Sequence, residues 1–372
     1  MKEQVCIEAS AKKALLVGIR EGRMSSQKAQ SMLKELEGLA LTLELEILSM
    51  EIVNLRENQP RYGMGSGKAE ELSEKAKALG ADCIIFDRDI TPSQQRNWEN
   101  LTGISVLDRQ ELIIQIFASR ARTREAVLQI NLAELTHALP RLQHKYINLA
   151  RQRGGSYGTR GEGETRLETD RRRLEQRINR LEKELEKVIQ QRQVQRRQRE
   201  RQNVPVCAIV GYTNAGKSSV LNSLTGAGVL AENKLFATLD PVSRRLGLPG
   251  GGLVLLVDTV GFIQRLPHSL VNAFRSTMEE AKYADILINV LDASDEDIAS
   301  HLETTALVLR DLGIKDVPMI MVLNKIDRVE NEEELLNNYP DAVPFCAVEK
   351  NGKAMRGQKE LREMIERILW KL

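Results

Sequence analysis

The sequence predicts an α/β protein in three parts. These are a small α/β subdomain over residues 1–115, an antiparallel helical hairpin with a Gly/Arg-rich tip loop over 116–203, and a doubly wound α/β domain over 204–372. Three observations predict it. Short apolar runs alternate with amphipathic stretches towards both ends of the chain, as strands joined by helices do. The middle of the chain carries leucines at coiled-coil spacing. A Gly-rich loop, Gly211–Ser218, follows an apolar strand and precedes a helical pattern.

In the first part the apolar runs are Ala14–Ile19, Leu43–Val53, Cys83–Phe86 and Ile104–Leu107, with helical patterns near Gln27–Leu39 and Ala69–Leu79. Alternation of this kind implies a largely parallel sheet. Gly67-Lys68 looks like a phosphate-loop ending, but Tyr62 stands where the pattern requires Gly and Ala69 where it requires Ser or Thr. A turn before a helix is the better reading.

In the second part Leu128, Leu132, Leu135, Leu139, Leu142, Tyr146 and Leu149 step by fours and threes. Leu167, Leu174, Ile178, Leu181, Leu185 and Val188 make a second seam. Residues 153–163 between them are too Gly-rich to continue either helix. Pro140 is a candidate kink. Between Arg141 and Arg201 there are 18 Lys/Arg against 9 Asp/Glu, while the whole chain carries a net charge of only +2. One basic module on an otherwise mildly acidic protein points to a polyanionic partner.

The third part reads as buried strands at Val206–Val210, Leu253–Val257, Ile286–Leu291 and Met319–Leu323, with Val242–Leu246 hairpinned onto Leu253–Val257 through Leu-Pro-Gly-Gly-Gly. A helix is expected at Lys359–Leu369.

Bulk properties exclude several classes. At 42% hydrophobic and 28% charged residues, the 372-residue chain is that of a globular protein. No apolar run approaches the roughly 20 residues of a membrane helix, and the N-terminal MKEQVCIEAS lacks a signal-peptide core. Cys6, Cys83, Cys207 and Cys346 are widely spaced, which suggests reduced thiols. His137, His144, His268 and His301 have no metal-ligand spacing. A cytoplasmic monomer with no membrane partner is expected.

Gly211-Tyr212-Thr213-Asn214-Ala215-Gly216-Lys217-Ser218 matches GxxxxGK[ST] in its required strand–loop–helix context. Backbone N–H groups of such a loop, with Ser219 opening the helix, curl round phosphates. Lys217 is expected at the β- and γ-phosphates, and the Ser218 hydroxyl on Mg²⁺. Asp258-Thr-Val-Gly261 closes an apolar strand 40 residues after Ser218. Asp258 is a candidate for holding Mg²⁺ through water, and the Gly261 N–H for meeting the γ-phosphate. Thr238, between the two motifs, is the candidate switch threonine on Mg²⁺. Lys217, Thr238 and Gly261 are thus the catalytic candidates. Asn324-Lys325-Ile326-Asp327 supplies the base reader. The two carboxylate oxygens of Asp327 accept from the guanine ring N–H and amine, a paired donor face that adenine lacks. Asn324 would brace the loop and the Lys325 stem would cover the base. Cys346-Ala347 stands where a Ser-Ala pair usually completes the pocket. Nucleotide preference is therefore GTP or GDP over ATP.

With these motifs in place, the chain resembles the HflX family of ribosome-associated GTPases. The resemblance rests on GYTNAGKS, FATLDP, DTVGF and NKID, and on residues 90–96, 106–112, 116–121 and 154–172 outside the nucleotide domain. It implies a P-loop GTPase domain behind an N-terminal subdomain and a helical subdomain. It also implies binding to the large ribosomal subunit and, in some members, splitting of stalled ribosomes. Many members carry a further C-terminal domain, which a chain ending at Leu372 is expected to lack. In this light the hairpin tip, with Arg151, Arg153, Tyr157 and Arg160, is the candidate rRNA contact, since Arg pairs with phosphate and Tyr stacks on bases. A merely solvated coiled-coil surface is the other reading. Asn214 occupies a position where some similar GTPases use Asn to help hold K⁺; shaping the loop is its alternative role. Phe262 stands where Ras-like proteins place a water-orienting Gln, which predicts slow hydrolysis alone and stimulation by a partner; a hydrophobic anchor for the switch, with another side chain orienting the water, is its other reading. The leading expectation is a GTP-hydrolysing switch acting on ribosomes. A GTPase in RNA modification or ribosome assembly, and a GTP-dependent binding module with incidental hydrolysis, are the alternatives.

Overall fold

The computed structural model describes residues 13–22, 24–152, 160–200, 204–226, 228, 234–239, 241–265, 280–349 and 355–370. The chain forms two compact units. One runs to Arg120 and then from Val127 to Glu186; the other comprises Ala121–Ala126 and everything from Lys187 onward.

The first unit is built on a four-stranded sheet in the order β2-β1-β3-β4, with β1 Lys13–Glu21, β2 Glu46–Leu55, β3 Cys83–Phe86 and β4 Ser105–Asp108. All pairings are parallel, so each strand is joined to the next by a helix. The apolar runs become these strands because burial on both faces demands continuous hydrophobicity: Ala14, Leu15, Leu16 and Val17 are fully buried, as are Cys83, Ile84 and Ile85. The connecting helices are α1 Ser26–Thr42, α2 Ser66–Leu79 and α3 Pro92–Thr102, and α4 Arg109–Arg120 follows β4. Ser25 caps α1 through its side chain, which accepts from the Lys28 N–H. Thr91 and Gln94 form a reciprocal capping box at α3, with Pro92 at the first helical position. Gly67 and Lys68 fall inside the first turn of α2, and Lys68 pairs with Glu71 at 2.6 Å.

The helical hairpin follows as α5 Arg124–Gln152 and α6 Arg160–Glu200, with Pro140 inside α5. The charge of Arg177 on α6 lowers the pKa of Glu134 on α5, against burial, which raises it more. In α6, Leu174, Ile178, Leu181, Leu185 and Val188 are all half-buried, a continuous seam along one face. In α5, Arg141 reaches into the N-terminal subdomain. It donates to Gln95 Oε1 and to Asp108 Oδ2, both at 2.7 Å. His137 lies one turn back, 3.9 Å from Asp108. At the foot of the hairpin, within the second unit, Arg192 of α6 forks between Glu125 of α5 at 3.1 Å and Glu280 at 2.9 Å.

The second unit centres on a six-stranded sheet in the order β10-β9-β8-β5-β7-β6. Its strands are β5 Val206–Gly211, β6 Val242–Gly247, β7 Leu253–Asp258, β8 Ile286–Asp292, β9 Met319–Asn324 and β10 Val343–Pro344. Only β6 is antiparallel, hairpinned onto β7. Among the described residues its α-helices are α7 Lys217–Thr225, α8 Ile298–Asp311, α9 Glu332–Asn338 and α10 Gln358–Trp370. From β5 the chain builds outwards to β7 on one side and then to β8 on the other. This reversal of strand order opens a crevice at the carboxyl ends of the strands, where ligands bind in such sheets. Among the described residues no helix is long and apolar enough to cross a membrane.

Candidate functional site: a phosphate-binding cleft

Three strand ends deliver the site. β5 ends on Gly211 and its loop runs into α7 at Lys217, β7 ends on Asp258, and β9 ends on Asn324. A cleft of about 350 Å³ lies among them, lined by Thr213, Asn214, Gly216, Lys217, Ser218, Ser219, Thr238, Gly261, Asn324, Lys325, Asp327 and Ala347.

The loop conformation explains its glycines. Gly211 has φ 136° and Gly216 φ 91°. A Cβ on Gly211 would come 2.2 Å from the Val290 carbonyl oxygen, and one on Gly216 would come 2.2 Å from Asn324 Nδ2. Asn324 is there because its amide donates to the Ala215 carbonyl at 2.9 Å, the bracing role expected of it. Lys325, at φ 62°, donates to the Asn214 carbonyl at 2.9 Å and to Asp292 Oδ2 at 2.5 Å. The base-reading loop is thus tied to the phosphate loop by two bonds.

Lys217 is buried and donates to the Tyr212 carbonyl at 2.7 Å. Burial pushes its ammonium down to about 8, a shift that Asp258 opposes and Lys325 reinforces. Burial likewise raises Asp258, against the charge of Lys217 and hydrogen bonds from Ser218 and Thr238. The Ser218 hydroxyl donates to Asp258 Oδ2 at 2.6 Å and lies 2.7 Å from Thr238 Oγ1. Asp258 Oδ1 is buried and has no hydrogen-bond partner among the described residues. Two hydroxyls and one carboxylate converge, an all-oxygen set with one open acceptor. It fits Mg²⁺, which takes one or two carboxylates and completes its shell with phosphates and water. Among the described residues no group of three His, Cys, Asp or Glu could hold a metal without such help.

Gly261 has no room for a side chain: a Cβ would lie 2.8 Å from Lys217 Nζ and 2.9 Å from Thr213 Cα. Phe262, next to it, is buried and exchanges backbone hydrogen bonds with Gly211 and Thr213. It anchors the segment and does not line the cleft. On the other wall, the Cys346 thiol donates to Asp327 Oδ1 at 3.4 Å, and a two-way backbone bridge with Arg356 holds Cys346 in place.

Of the candidates read from the sequence, Tyr212 stands apart. It supplies its carbonyl to Lys217, but its ring turns away to α8. Arg153, Tyr157 and His268 lie outside the described residues, as do the side chains of Arg151, Arg160 and His144. Sequence reasoning missed Lys234, Phe236, Arg328 and Val348, which also line the cleft, and Asp292, which orients Lys325. Asp292 had a signal: like Asp258, it closes a buried apolar strand.

Comparison with known proteins gives three family models in chain order. They are described as GTP-binding GTPase N-terminal over residues 30–118, GTP-binding GTPase Middle Region over 120–199, and 50S ribosome-binding GTPase over 206–325. GTPase HflX of Akkermansia muciniphila is 47% identical, over 92% of this chain and 81% of its own length. GTPase HflX of Escherichia coli K12 is 43% identical, over 84% of this chain and 73% of its own. A solved structure, the complex of SsGBP with GDP, is 25% identical with a TM-score of 0.52, covering 97% of this chain and 99% of that one.

Proposed function

Because this chain belongs to the HflX family of GTPases and hydrolyses GTP, we propose that it is a molecular switch that engages the large ribosomal subunit with GTP bound and leaves after hydrolysis. Dissociation or rescue of stalled ribosomes is the work this cycle would do. One observation carries the reading: Ser218, Thr238 and Asp258 converge at 2.6–2.7 Å. A metal held there supplies charge neutralisation to the phosphates. Thr238 brings its loop into the same cluster, so loss of the γ-phosphate would release that loop.

The chain's own residues divide the work. The loop amides and Lys217 hold the phosphates. Gly261 presents its N–H where no side chain fits. Asp327, steadied by the Cys346 thiol, accepts from guanine, and Lys325 covers the base. Buried Phe262 offers the attacking water no hydrogen bond. Slow hydrolysis in isolation and stimulation by the ribosomal partner follow from this. The basic stretch around the hairpin supplies the charge for an RNA partner, and the 50S ribosome-binding description of the family model over residues 206–325 supports that partner.

The test is GTP turnover with and without purified large subunits, alongside co-sedimentation in GDP and in a non-hydrolysable GTP analogue. Stimulated turnover and binding favoured by the analogue are expected. The triple replacement of Arg153, Tyr157 and Arg160 by Ala should weaken co-sedimentation while sparing nucleotide affinity. Equal sedimentation in both nucleotides would end the switch reading.

Asn214 is proposed as a K⁺ ligand, being one of the residues that line the cleft, where a monovalent cation would offset charge developing between phosphates. Turnover should then be faster in KCl than in NaCl; equal rates would remove the ion from the mechanism.

A further inference from the structure

The second residue of the phosphate loop spends its side chain away from the nucleotide cleft. The Tyr212 ring is 5% exposed and lies flat on His301 of α8, with centroids 3.7 Å apart and planes 14° apart. Its hydroxyl oxygen accepts from the Gln264 backbone N–H at 3.0 Å. The Gln264 side chain then donates to Ser300 Oγ, also on α8, at 3.1 Å. His301 in turn has Asp295 at 3.8 Å from Nδ1.

These contacts close a short circuit around Gly261. Upstream, the Phe262 N–H donates to the Gly211 carbonyl at 3.0 Å, and the Thr213 N–H donates to the Phe262 carbonyl at 2.8 Å. That fixes Gly261–Phe262 against the phosphate loop. Downstream, the Tyr212 hydroxyl and Ser300 hold Gln264. The stretch from Gly261 to Gln264 is therefore pinned at both ends, with Tyr212 joining one pin to the other. No side chain fits at 261, since a Cβ there would meet Lys217 Nζ at 2.8 Å and Thr213 Cα at 2.9 Å.

We propose that Tyr212 is a positioning residue for GTP hydrolysis. Together with Gln264, Ser300 and His301 it clasps the root of the switch segment to α8, and so holds the Gly261 N–H at the place the γ-phosphate occupies. This rests on the hydrolytic reading of the cleft and adds a device to it. Tyr212 acts through Gly261 and touches no nucleotide with its side chain. The clasp also makes α8 a point from which turnover can be governed, because moving α8 moves Ser300 and His301 together. A buried phenol that kept its ring and lost its hydroxyl would take away the acceptor of the Gln264 amide, while a flat aromatic contact has an energy of its own beyond area.

The experiment uses the full chain. Tyr212→Phe keeps the ring and removes the hydroxyl. Its kcat for GTP should fall about fivefold, the value of one ordinary hydrogen bond, with KM and GDP affinity unchanged. Amide exchange at Gln264 should accelerate in the same variant. His301→Ala should lower kcat further, and His301→Phe, which preserves a flat ring, should recover most of that loss. A Tyr212→Phe enzyme with wild-type kcat and wild-type Gln264 exchange would overturn the clasp. So would a loss shared equally between kcat and nucleotide affinity, or His301→Phe behaving no better than His301→Ala. Absence of turnover in the unaltered chain would be a failure of the hydrolytic reading itself, distinct from any of these.

Discussion

Replacing Asp327 by Asn should cost GDP at least about 100-fold in affinity and hand part of it to xanthosine diphosphate. Guanine offers two adjacent donors, and the carboxylate accepts both. An amide has one acceptor and one donor, so one guanine N–H is left facing another donor, a mismatch that polar sites penalise heavily. Xanthine carries a carbonyl where guanine has its amine and suits the amide. The surroundings favour a clean substitution. The Cys346 thiol donates to one Asp327 oxygen at 3.4 Å, and an amide oxygen can take its place. Equilibrium binding of both diphosphates to both proteins decides it. Unchanged GDP affinity would place the base pocket elsewhere.

Lys217→Ala should lower the GTP hydrolysis rate by about 10²–10³-fold, as loss of one preorganised charge-stabilising donor does. The ammonium is buried, pushed down to about 8 by that burial, and held by the Tyr212 carbonyl at 2.7 Å. It also lies 2.8 Å from the point where a Gly261 side chain would begin. Neighbouring Lys325 is committed to Asp292 and the Asn214 carbonyl, so it is not free to substitute. Single-turnover hydrolysis under saturating GTP isolates the chemical contribution from weakened binding. A loss below about tenfold would mean that another group carries the phosphate charge.

The strands and the phosphate motifs are legible in the sequence for physical reasons. A strand buried on both faces must be a continuous apolar run, and for Cys83–Phe86 the run and the strand coincide to the residue. The Gly211–Ser218 loop needs particular glycines because backbone and amide atoms stand 2.2 Å from where a Cβ would sit, so the constraint is written locally. Three helices leave no such mark. In α4, Leu112, Ile113, Ile114, Ile116 and Phe117 are all buried, so no single apolar face reveals the period. α3 begins with Pro92, and its buried face is Gln94, Trp98 and Thr102, two polar residues and a single aromatic. α8 mixes threonines and a histidine into its inward face, where Thr305 is buried and His301 meets Tyr212. The ion pairs are also out of reach. Arg109 is 2% exposed and pairs with Glu35 and Asp87, each at 2.6 Å, but Glu35 is 74 residues away and no spacing rule connects them. The same holds for Arg141 and Asp108. Tyr212 illustrates the limit inside the site itself: a motif position names the backbone's role and says nothing of where the ring goes.

The fork at Arg192 has a mechanical meaning. It crossbars the two legs of the hairpin at their foot and hooks both to Glu280. From Arg192 to Arg160, α6 is an unbroken rod of about 48 Å at 1.5 Å per residue. Removing either carboxylate would take one prong from a shared guanidinium and so loosen the joint between the two legs.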